Sequence, residues 1–182
     1  MKTICVFLAT GFEEIEALTP VDVLRRANLP VKTVSITGNL TVMGAHGIPV
    51  TADALIEDVN IDDIERIILP GGMPGATNLD AHPLIDQWVN LFAEAGKPIS
   101  AICAAPLVLG KRNILNNRKA TCYPGFETYL QGATYTAACV EKDGNIITGK
   151  GPGAAMDFAF AIMAEYCSAQ QVAEQRAGMM IV

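Results

Sequence analysis

The segment PISAICAAPLVL, at residues 98–109, joins a short apolar strand to an apolar helical stretch through a sharp turn. Cys103 occupies the turn, and its neighbours are small, as a crowded strand-to-helix turn requires. Alanines stand at positions 101 and 105, where the esterase nucleophile pattern has glycines. Pro106 suits a first helical turn, because its missing N–H costs nothing there. The segment predicts a nucleophile elbow, with a buried core cysteine as the alternative interpretation.

Outside this segment, short apolar runs alternate with stretches of helical spacing. Further buried strands are predicted at residues 3–9, 31–37 and 65–69, with hairpins at 41–51 (or an irregular excursion) and 139–148. Helices are predicted to begin at Thr19, with Pro20 in the first turn, to span 83–95 and 154–166, and to follow a capping box at Ser168. Strands separated by helices predict an α/β fold with a mainly parallel sheet.

The composition indicates a single domain, residues 1–182, with a large dry core. Apolar residues make up 51% of the chain and charged residues 18%, below the usual ~25%. The net charge is −6, and no Lys/Arg stripe interrupts the acidic balance. Nucleic acid and anionic membrane surfaces are therefore not expected as partners. No run stays apolar for about 18 residues, so no transmembrane helix is expected.

The cysteines indicate a reduced, cytoplasmic protein. There are five, widely spaced and without a CxxC pair, and the chain has only two histidines. Neither a metal site nor a disulfide framework is predicted. Cys5 and Cys139 lie in apolar strand patterns and are expected in the core, whereas Cys122 is either a core residue or a second oxidisable thiol.

In a parallel sheet the ligand site lies beyond the carboxyl ends of the strands, here after Ala9, Leu69 and Ile102. Leu69 is followed by PGGMPGA, residues 70–76, whose backbone N–H groups are able to hold an oxyanion. A phosphate loop is disfavoured, because GK[ST] and GxGxxG are both missing. A tight turn without chemistry is the remaining alternative.

Three carboxylates follow Ala9. For Glu13 and Glu14 a solvated turn is the preferred interpretation. A carboxyl that faces the elbow, by contrast, would serve as general acid or base toward the cysteine.

These pieces together resemble the ThiJ/PfpI family, and closely its Parkinson-associated protein deglycase branch, in the class I glutamine amidotransferase-like superfamily. The matching motifs are GFEEIE at 11–16, PVDVLRRA at 20–27, LPGGMPGA at 69–76, AICAAP at 101–106 and GPG at 151–153. The similarity extends over essentially the whole chain. It implies a flavodoxin-like three-layer sandwich, no cofactor, and a homodimer formed through the helix after Thr19.

The resemblance also implies roles for individual residues. Cys103 is the reactive cysteine, Glu16 its protonated carboxyl partner, and the N–H groups of Gly72 and Ala104 form the oxyanion hole. We expect the pKa of Cys103 to lie below its free value of ~8.5, because helix N–H groups point at the sulfur. Substrate contacts are assigned to Tyr123, His46, Gly71 and Arg26 in the same way.

Two positions depart from the family pattern. Active members usually carry a histidine in a Thr-His-Pro segment, and Tyr123 takes its position here. His46 stands where an anion-binding arginine is usual. Since a phenol is a poor base at pH 7, we expect Tyr123 to limit aldehyde turnover.

Three functions remain open. The first is a cofactor-independent cysteine enzyme, or stress-protective protein, that acts on methylglyoxal, glyoxal or their adducts on proteins and nucleotides. The second is a redox-sensing, chaperone-like protein in which Cys103 oxidises to a sulfinic acid. The third, a cysteine peptidase or amidase, ranks last because no motif places a histidine beside Cys103.

Overall fold

A computed structural model describes residues 2–181. The strands are β1 (Thr3–Leu8), β2 (Val31–Ser35), β3 (Thr41–Met43), β4 (Pro49–Thr51), β5 (Ala54–Leu55), β6 (Ile64–Leu69), β7 (Ile99–Ile102), β8 (Lys119–Ala120), β9 (Thr134–Tyr135), β10 (Val140–Asp143) and β11 (Ile146–Gly149). The helices are α1 (Glu14–Arg26), α2 (Gly75–Ala81), α3 (Pro83–Glu94), α4 (Pro106–Gly110), α5 (Ala155–Met163) and α6 (Ala169–Gly178), with 3-10 turns at Ile56–Asp58, Ile61–Asp63, Glu127–Tyr129 and Pro152–Ala154.

A seven-stranded sheet forms the middle layer, in the order β10-β11-β7-β6-β1-β2-β5. Every pairing in it is parallel except that of β10 with β11. Helices α1 and α5 pack together, and α2 packs with α3 and α4. The strands β1, β6 and β7 are almost entirely buried, which explains their continuous apolar runs. The predicted flavodoxin-like α/β sandwich is confirmed.

The first helix begins earlier than predicted. It starts at Glu14 rather than Thr19, and Pro20 lies inside it. A proline in a helix interior removes one backbone hydrogen bond and is normally a break. Here the buried face of α1, which includes Ala17, Pro20 and Leu24, holds the helix together through that position.

Other local predictions are confirmed, and the structure adds elements that the sequence pattern did not reveal. The hairpins form as β3–β4 and β10–β11, and the capping box of Ser168 with Gln171 opens α6. Helix α2 was not predicted, because the glycine-rich loop leads into it directly. Among the helices within residues 2–181, none has the length and apolar character needed to cross a membrane.

The sheet order brings the three chemically unusual strand ends together. Strands β7, β6 and β1 are neighbours and run parallel, with Leu69 opposite Ala101 and Val6 opposite Ile68. Their carboxyl ends therefore meet at one edge of the sheet, where a ligand site is expected.

Candidate active site

Cys103 occupies a strained turn between β7 and α4. Its φ is +65°, in the left-handed region that residues with a side chain rarely adopt. The backbone is fixed on both sides: the Cys103 N–H donates to the Gly149 carbonyl (2.9 Å), and its carbonyl accepts from the Tyr123 N–H (2.8 Å). The elbow therefore forms as predicted, and it presents a side chain that is 8% exposed.

Two backbone donors face the cysteine sulfur. The backbone N–H groups of Gly72 and Ala104 lie near Cys103 and act to lower the pKa of its thiol. Gly72 has φ +86°, and a Cβ there would overlap the backbone of Glu13 and Gly11, so only glycine fits. Donors placed in this way are suited to an oxyanion that forms on a carbon bonded to the sulfur.

Glu16, from the first turn of α1, lies beside the cysteine and has no exposed surface. Its Oε2 accepts a hydrogen bond from the Gly71 N–H (2.9 Å). A Cβ on Gly71 would lie 2.6 Å from both Glu16 Oε2 and Cys103 Cβ, so these two atoms are themselves within about 5 Å. Within residues 2–181, Glu16 Oε1 has no hydrogen-bond partner. One carboxyl oxygen is thus anchored, and the other is left for chemistry.

Burial changes the acidity of both side chains. Burial, with a smaller contribution from the charge of Glu13, raises the pKa of Glu16 to about 7, although the Cys103 thiol and the Gly71 N–H act to lower it. Burial, with the Glu16 carboxylate, raises the pKa of Cys103 to about 12, although the Gly72 and Ala104 N–H groups oppose this.

The expected low pKa of Cys103 is therefore wrong. Helix α4 has five residues and supplies little dipole, whereas burial and a neighbouring carboxylate both disfavour a thiolate. Near pH 7 the pair loses its first proton from Glu16. The geometry places a carboxylate of useful basicity next to a thiol, rather than a carboxylic acid next to a thiolate.

A cavity of about 230 Å³ opens onto Cys103. Besides the elbow and Gly72, it is lined by Glu13, Met73, Tyr123, Phe126 and Pro152. Its volume lies below the 300–1,000 Å³ or so of sites for drug-sized ligands. The cavity therefore suits a molecule of few heavy atoms. Tyr123 is 47% exposed and stands at its mouth.

The solvated-turn interpretation of Glu13 and Glu14 is wrong. Their side chains are only 13% and 6% exposed. Glu14 accepts hydrogen bonds from the His46 backbone N–H and Nδ1, both at 2.8 Å, which ties the β3–β4 hairpin to α1. His46 Nδ1 lies 3.7 Å from Glu13 Oε2, and Glu14 raises the pKa of His46 by hydrogen bonding. Burial of this turn is a tertiary effect that the local pattern does not contain.

These three side chains are the one group within residues 2–181 that brings three metal-ligating atoms close together, within 4.8 Å of one another. Their donors and acceptors are already paired with each other through Glu14. The expectation that no metal takes part remains a prediction.

Of the four residues predicted to contact the substrate, one lines the cavity and three do not. Tyr123 lines the cavity, whereas the Gly71 N–H is occupied by Glu16 and so positions the carboxyl. His46 does not line the cavity, but its Nδ1 lies 3.7 Å from Oε2 of Glu13, which does. Arg26 lies at the far end of α1, about 18 Å along the helix axis from Glu14, pairs with Asp22 and lines a different hollow. Within one chain Arg26 is not part of this site.

Sequence reasoning missed three contributors. Met73, Phe126 and Pro152 line the cavity without any chemical signature in the sequence.

Cys139, expected in the core, is exposed, whereas Cys5 and Cys122 are buried. Cys139 directly precedes β10, whose residues are only partly buried, and this edge position is why the core prediction failed for it.

The sheet, its flanking helices and the cysteine elbow define an α/β protein of flavodoxin-like architecture with a buried thiol–carboxyl pair. The sequence profile of the DJ-1/PfpI family matches residues 2–165. Protein dj-1beta of Drosophila melanogaster is 33% identical over 182 residues, which covers 99% of this chain and 97% of that protein. Protein DJ-1 homolog B of Arabidopsis thaliana is 35% identical over 175 residues, and the chain spans only 40% of its length.

Solved structures agree with the sequence comparison. A C103A mutant of the DJ-1 superfamily protein STM1931 from Salmonella typhimurium superposes with a TM-score of 0.93 at 34% identity, over 100% of both chains. Oxidized DJ-1 of Toxoplasma gondii superposes with a TM-score of 0.93 at 31% identity, over 99% of this chain and 98% of that one. The chain belongs to the DJ-1/PfpI family, as its motifs indicated.

Proposed function

We propose that the protein is a cofactor-independent cysteine enzyme that converts small reactive aldehydes, such as methylglyoxal and glyoxal, into hydroxy acids. The observation that carries this proposal is the buried Glu16 carboxyl, with one free oxygen and a pKa near 7, beside Cys103. The cavity volume and the two N–H groups that face the sulfur support it.

The first step is addition to the aldehyde. Glu16 takes the thiol proton while Cys103 Sγ bonds to the aldehyde carbon, and the carbonyl electron pair moves to oxygen. The N–H groups of Gly72 and Ala104 stabilise that oxyanion, which the Glu16 proton then neutralises to give a hemithioacetal.

The second step moves a proton between carbons. Glu16 removes the proton from the former aldehyde carbon and delivers it to the adjacent carbonyl carbon by way of an enediol, which leaves a thioester of the 2-hydroxy acid. Water then hydrolyses the thioester, releases lactate from methylglyoxal and restores the thiol. The sum is one aldehyde plus one water, with no external oxidant.

A lactate-release assay tests this mechanism. We expect Cys103→Ala to fall to the background rate, and Cys167→Ala, which alters a thiol at a different hollow, to retain full turnover. Equal rates for wild type and Cys103→Ala would refute the proposal. The same chemistry applied to adducts on proteins or nucleotides would constitute stress protection in a reducing cytoplasm.

One observation favours a second function, redox sensing with chaperone-like protection. The donors from Gly72 and Ala104 that suit an oxyanion would also hydrogen-bond to a sulfinate on Cys103. Intact-mass and peptide analysis after graded peroxide should then show two added oxygens on Cys103 first. Earlier oxidation of the exposed Cys139 would contradict it.

The peptidase alternative loses support from the geometry. Such an enzyme relies on a histidine base beside the cysteine. Neither of the two histidines lines the Cys103 cavity, and His82 borders a separate hollow near Thr10.

We also propose that the chain forms a homodimer through α1 and the β3–β4 hairpin. Ile15 and Leu18 on α1, with Met43 and Ile48 on the hairpin, are exposed apolar side chains on adjoining elements. Light scattering should give a dimer for wild type and a monomer for Leu18→Asp. Leu91→Asp, at an exposed leucine on α3, should remain dimeric, and a monomeric wild type would overturn the assignment.

A further inference from the structure

We propose that Glu13 makes the Cys103 cavity selective for charge, so that the site accepts neutral or cationic carbonyl compounds and rejects anionic ones such as 2-oxoaldehydes that carry a carboxylate. This inference rests on the proposed aldehyde chemistry, because it names the substrate class of the same site. It also makes Glu13 a specificity-determining residue with no part in the bond-forming steps.

The lining of the cavity carries the first part of the argument. Among the described residues that line it, Glu13 is the one with a carboxylate side chain, and neither a lysine nor an arginine is present. The remaining side chains are apolar or small, apart from the Tyr123 phenol and the Cys103 thiol. A substrate anion bound there would meet a carboxylate without a compensating cation.

The position of Glu13 is fixed by its backbone, and its carboxylate is left free. The Glu13 N–H donates to the Gly71 carbonyl (2.9 Å), so the residue is tied to the loop that also anchors Glu16. Glu13 precedes α1 as its N-cap residue, yet its side chain makes no capping hydrogen bond. It is 13% exposed, and within residues 2–181 its contact with a charged partner is the 3.7 Å one to His46.

The neighbouring charges do not cancel Glu13. The His46 ring is 66% exposed and already bonded to Glu14 at 2.8 Å, which is closer than its approach to Glu13. Lys150 borders the adjoining hollow beyond Tyr123 and Pro152, where its Nζ donates to the Ala137 carbonyl. Glu16 adds a second carboxylate on the inner side, and the charge of Glu13 is felt there. Within one chain, the charged groups beside Cys103 are therefore the carboxylates of Glu13 and Glu16.

A charge a few ångströms away in a partly enclosed site changes the local concentration of a charged reagent by roughly an order of magnitude. Two methanethiosulfonates of similar size serve as probes: the trimethylammonioethyl reagent is a cation and the sulfonatoethyl reagent an anion. Each forms a mixed disulfide with Cys103 and releases methanesulfinate. The ratio of their rates with Cys103 is divided by the ratio of their rates with 2-mercaptoethanol. This division corrects for the difference in intrinsic reactivity between the two reagents.

We expect this normalised ratio to favour the cation by about tenfold at Cys103, read by peptide mass spectrometry on the intact protein. Glu13→Gln should lower it several-fold, to the part that the Glu16 carboxylate contributes, whereas Glu174→Gln, the same change on α6, should leave it at the wild-type value. Cys139 in the same molecule is an internal reference. A wild-type ratio near one, or a ratio that Glu13→Gln does not alter, would overturn the inference.

Aldehyde turnover separates this inference from the function it rests on. With the same variants, the ratio of kcat/KM for neutral methylglyoxal over 4,5-dioxopentanoate, a 2-oxoaldehyde that carries a carboxylate, should fall about tenfold in Glu13→Gln. If no aldehyde is turned over while the thiol probes still discriminate, the proposed function fails and the charge selection at Cys103 stands. If methylglyoxal is turned over without discrimination by either readout, the substrate-class inference alone fails.

Discussion

Glu16 and Arg66 are two buried ionisable side chains near the same strand, β6, and they differ in how fully they are hydrogen-bonded. Arg66 is 1% exposed, and its guanidinium donates to Ser100 Oγ (2.7 Å) and to the Tyr166 hydroxyl (3.0 Å). It also stacks over the Tyr166 ring and lies 3.9 Å from Glu165. Glu16 has one bonded oxygen and one without a partner.

The difference separates structure from chemistry. A buried charge that is hydrogen-bonded to its neighbours contributes to the packing of the sheet, and its removal leaves those partners unsatisfied. A buried carboxyl with an unused oxygen destabilises the folded state. Such a group is typical of a site where a proton must move. Substitutions at the two positions should therefore affect different measurements.

The largest effect is expected for turnover in Glu16→Gln. The amide retains a similar shape but accepts no proton, and a positioned general base typically contributes ~10²–10⁴-fold. We expect kcat for lactate release to fall by that factor with little loss of thermal stability. Undiminished turnover would remove Glu16 from the mechanism, and an unfolded variant would make it structural like Arg66.

Arg66→Met is the converse test. It removes two hydrogen bonds and leaves the buried Ser100 hydroxyl without its donor, so the free energy of unfolding should fall by about 2–4 kcal/mol. Turnover per folded molecule should stay within about twofold of wild type. Denaturant unfolding measures the first quantity. Arg25→Met, at a half-exposed pair with Asp53, should cost about 1 kcal/mol or less.

The pH dependence gives a third test of the contrast. The pKa of Glu16 rises from 4.5 to about 7 on folding, so the folded state holds a proton that the unfolded chain has already lost. Stability from this group is fully present below about pH 4.5 and is lost as pH rises toward 7, by about 3 kcal/mol in all. Turnover should rise over the upper part of that window, as the carboxylate forms.

Paired unfolding curves at several pH values isolate this contribution. The difference in unfolding free energy between wild type and Glu16→Gln should shift against wild type as the pH rises from 4.5 to 7. A difference that does not change with pH would show that Glu16 titrates normally. It would also remove the reason for regarding it as a base poised near neutrality.

The sequence predicted the position of the elbow better than it predicted the electrostatics around it. The strand ends and small residues around Cys103 located the elbow, because close packing there restricts residue type locally. The burial of Glu13 and Glu14 and the raised pKa of Cys103 depend on which elements fold over them. Arg66, in an apolar strand, carried no signal of its partners, since Ser100 and Tyr166 lie 34 and 100 residues away in the chain.

The smallest effect concerns Tyr123, the polar side chain at the mouth of the cavity. It is half exposed, so a substitution there should leave the fold intact. If Glu16 alone moves the protons, Tyr123→Phe should change kcat/KM for methylglyoxal by less than about fivefold. Tyr123→His adds a neutral imidazole that accepts a proton at pH 7 and should raise turnover, by about tenfold.

The comparison of wild type, Tyr123→Phe and Tyr123→His in one lactate-release assay decides the role of the tyrosine. A large loss in Tyr123→Phe without a gain in Tyr123→His would make the phenol a catalytic group and Glu16 an insufficient base. If all three are inactive while Cys103 still takes up two oxygens from peroxide, the unused oxygen of Glu16 serves the oxidised cysteine instead. The contrast with Arg66 would then still separate a functional buried charge from a structural one, with redox sensing as the function.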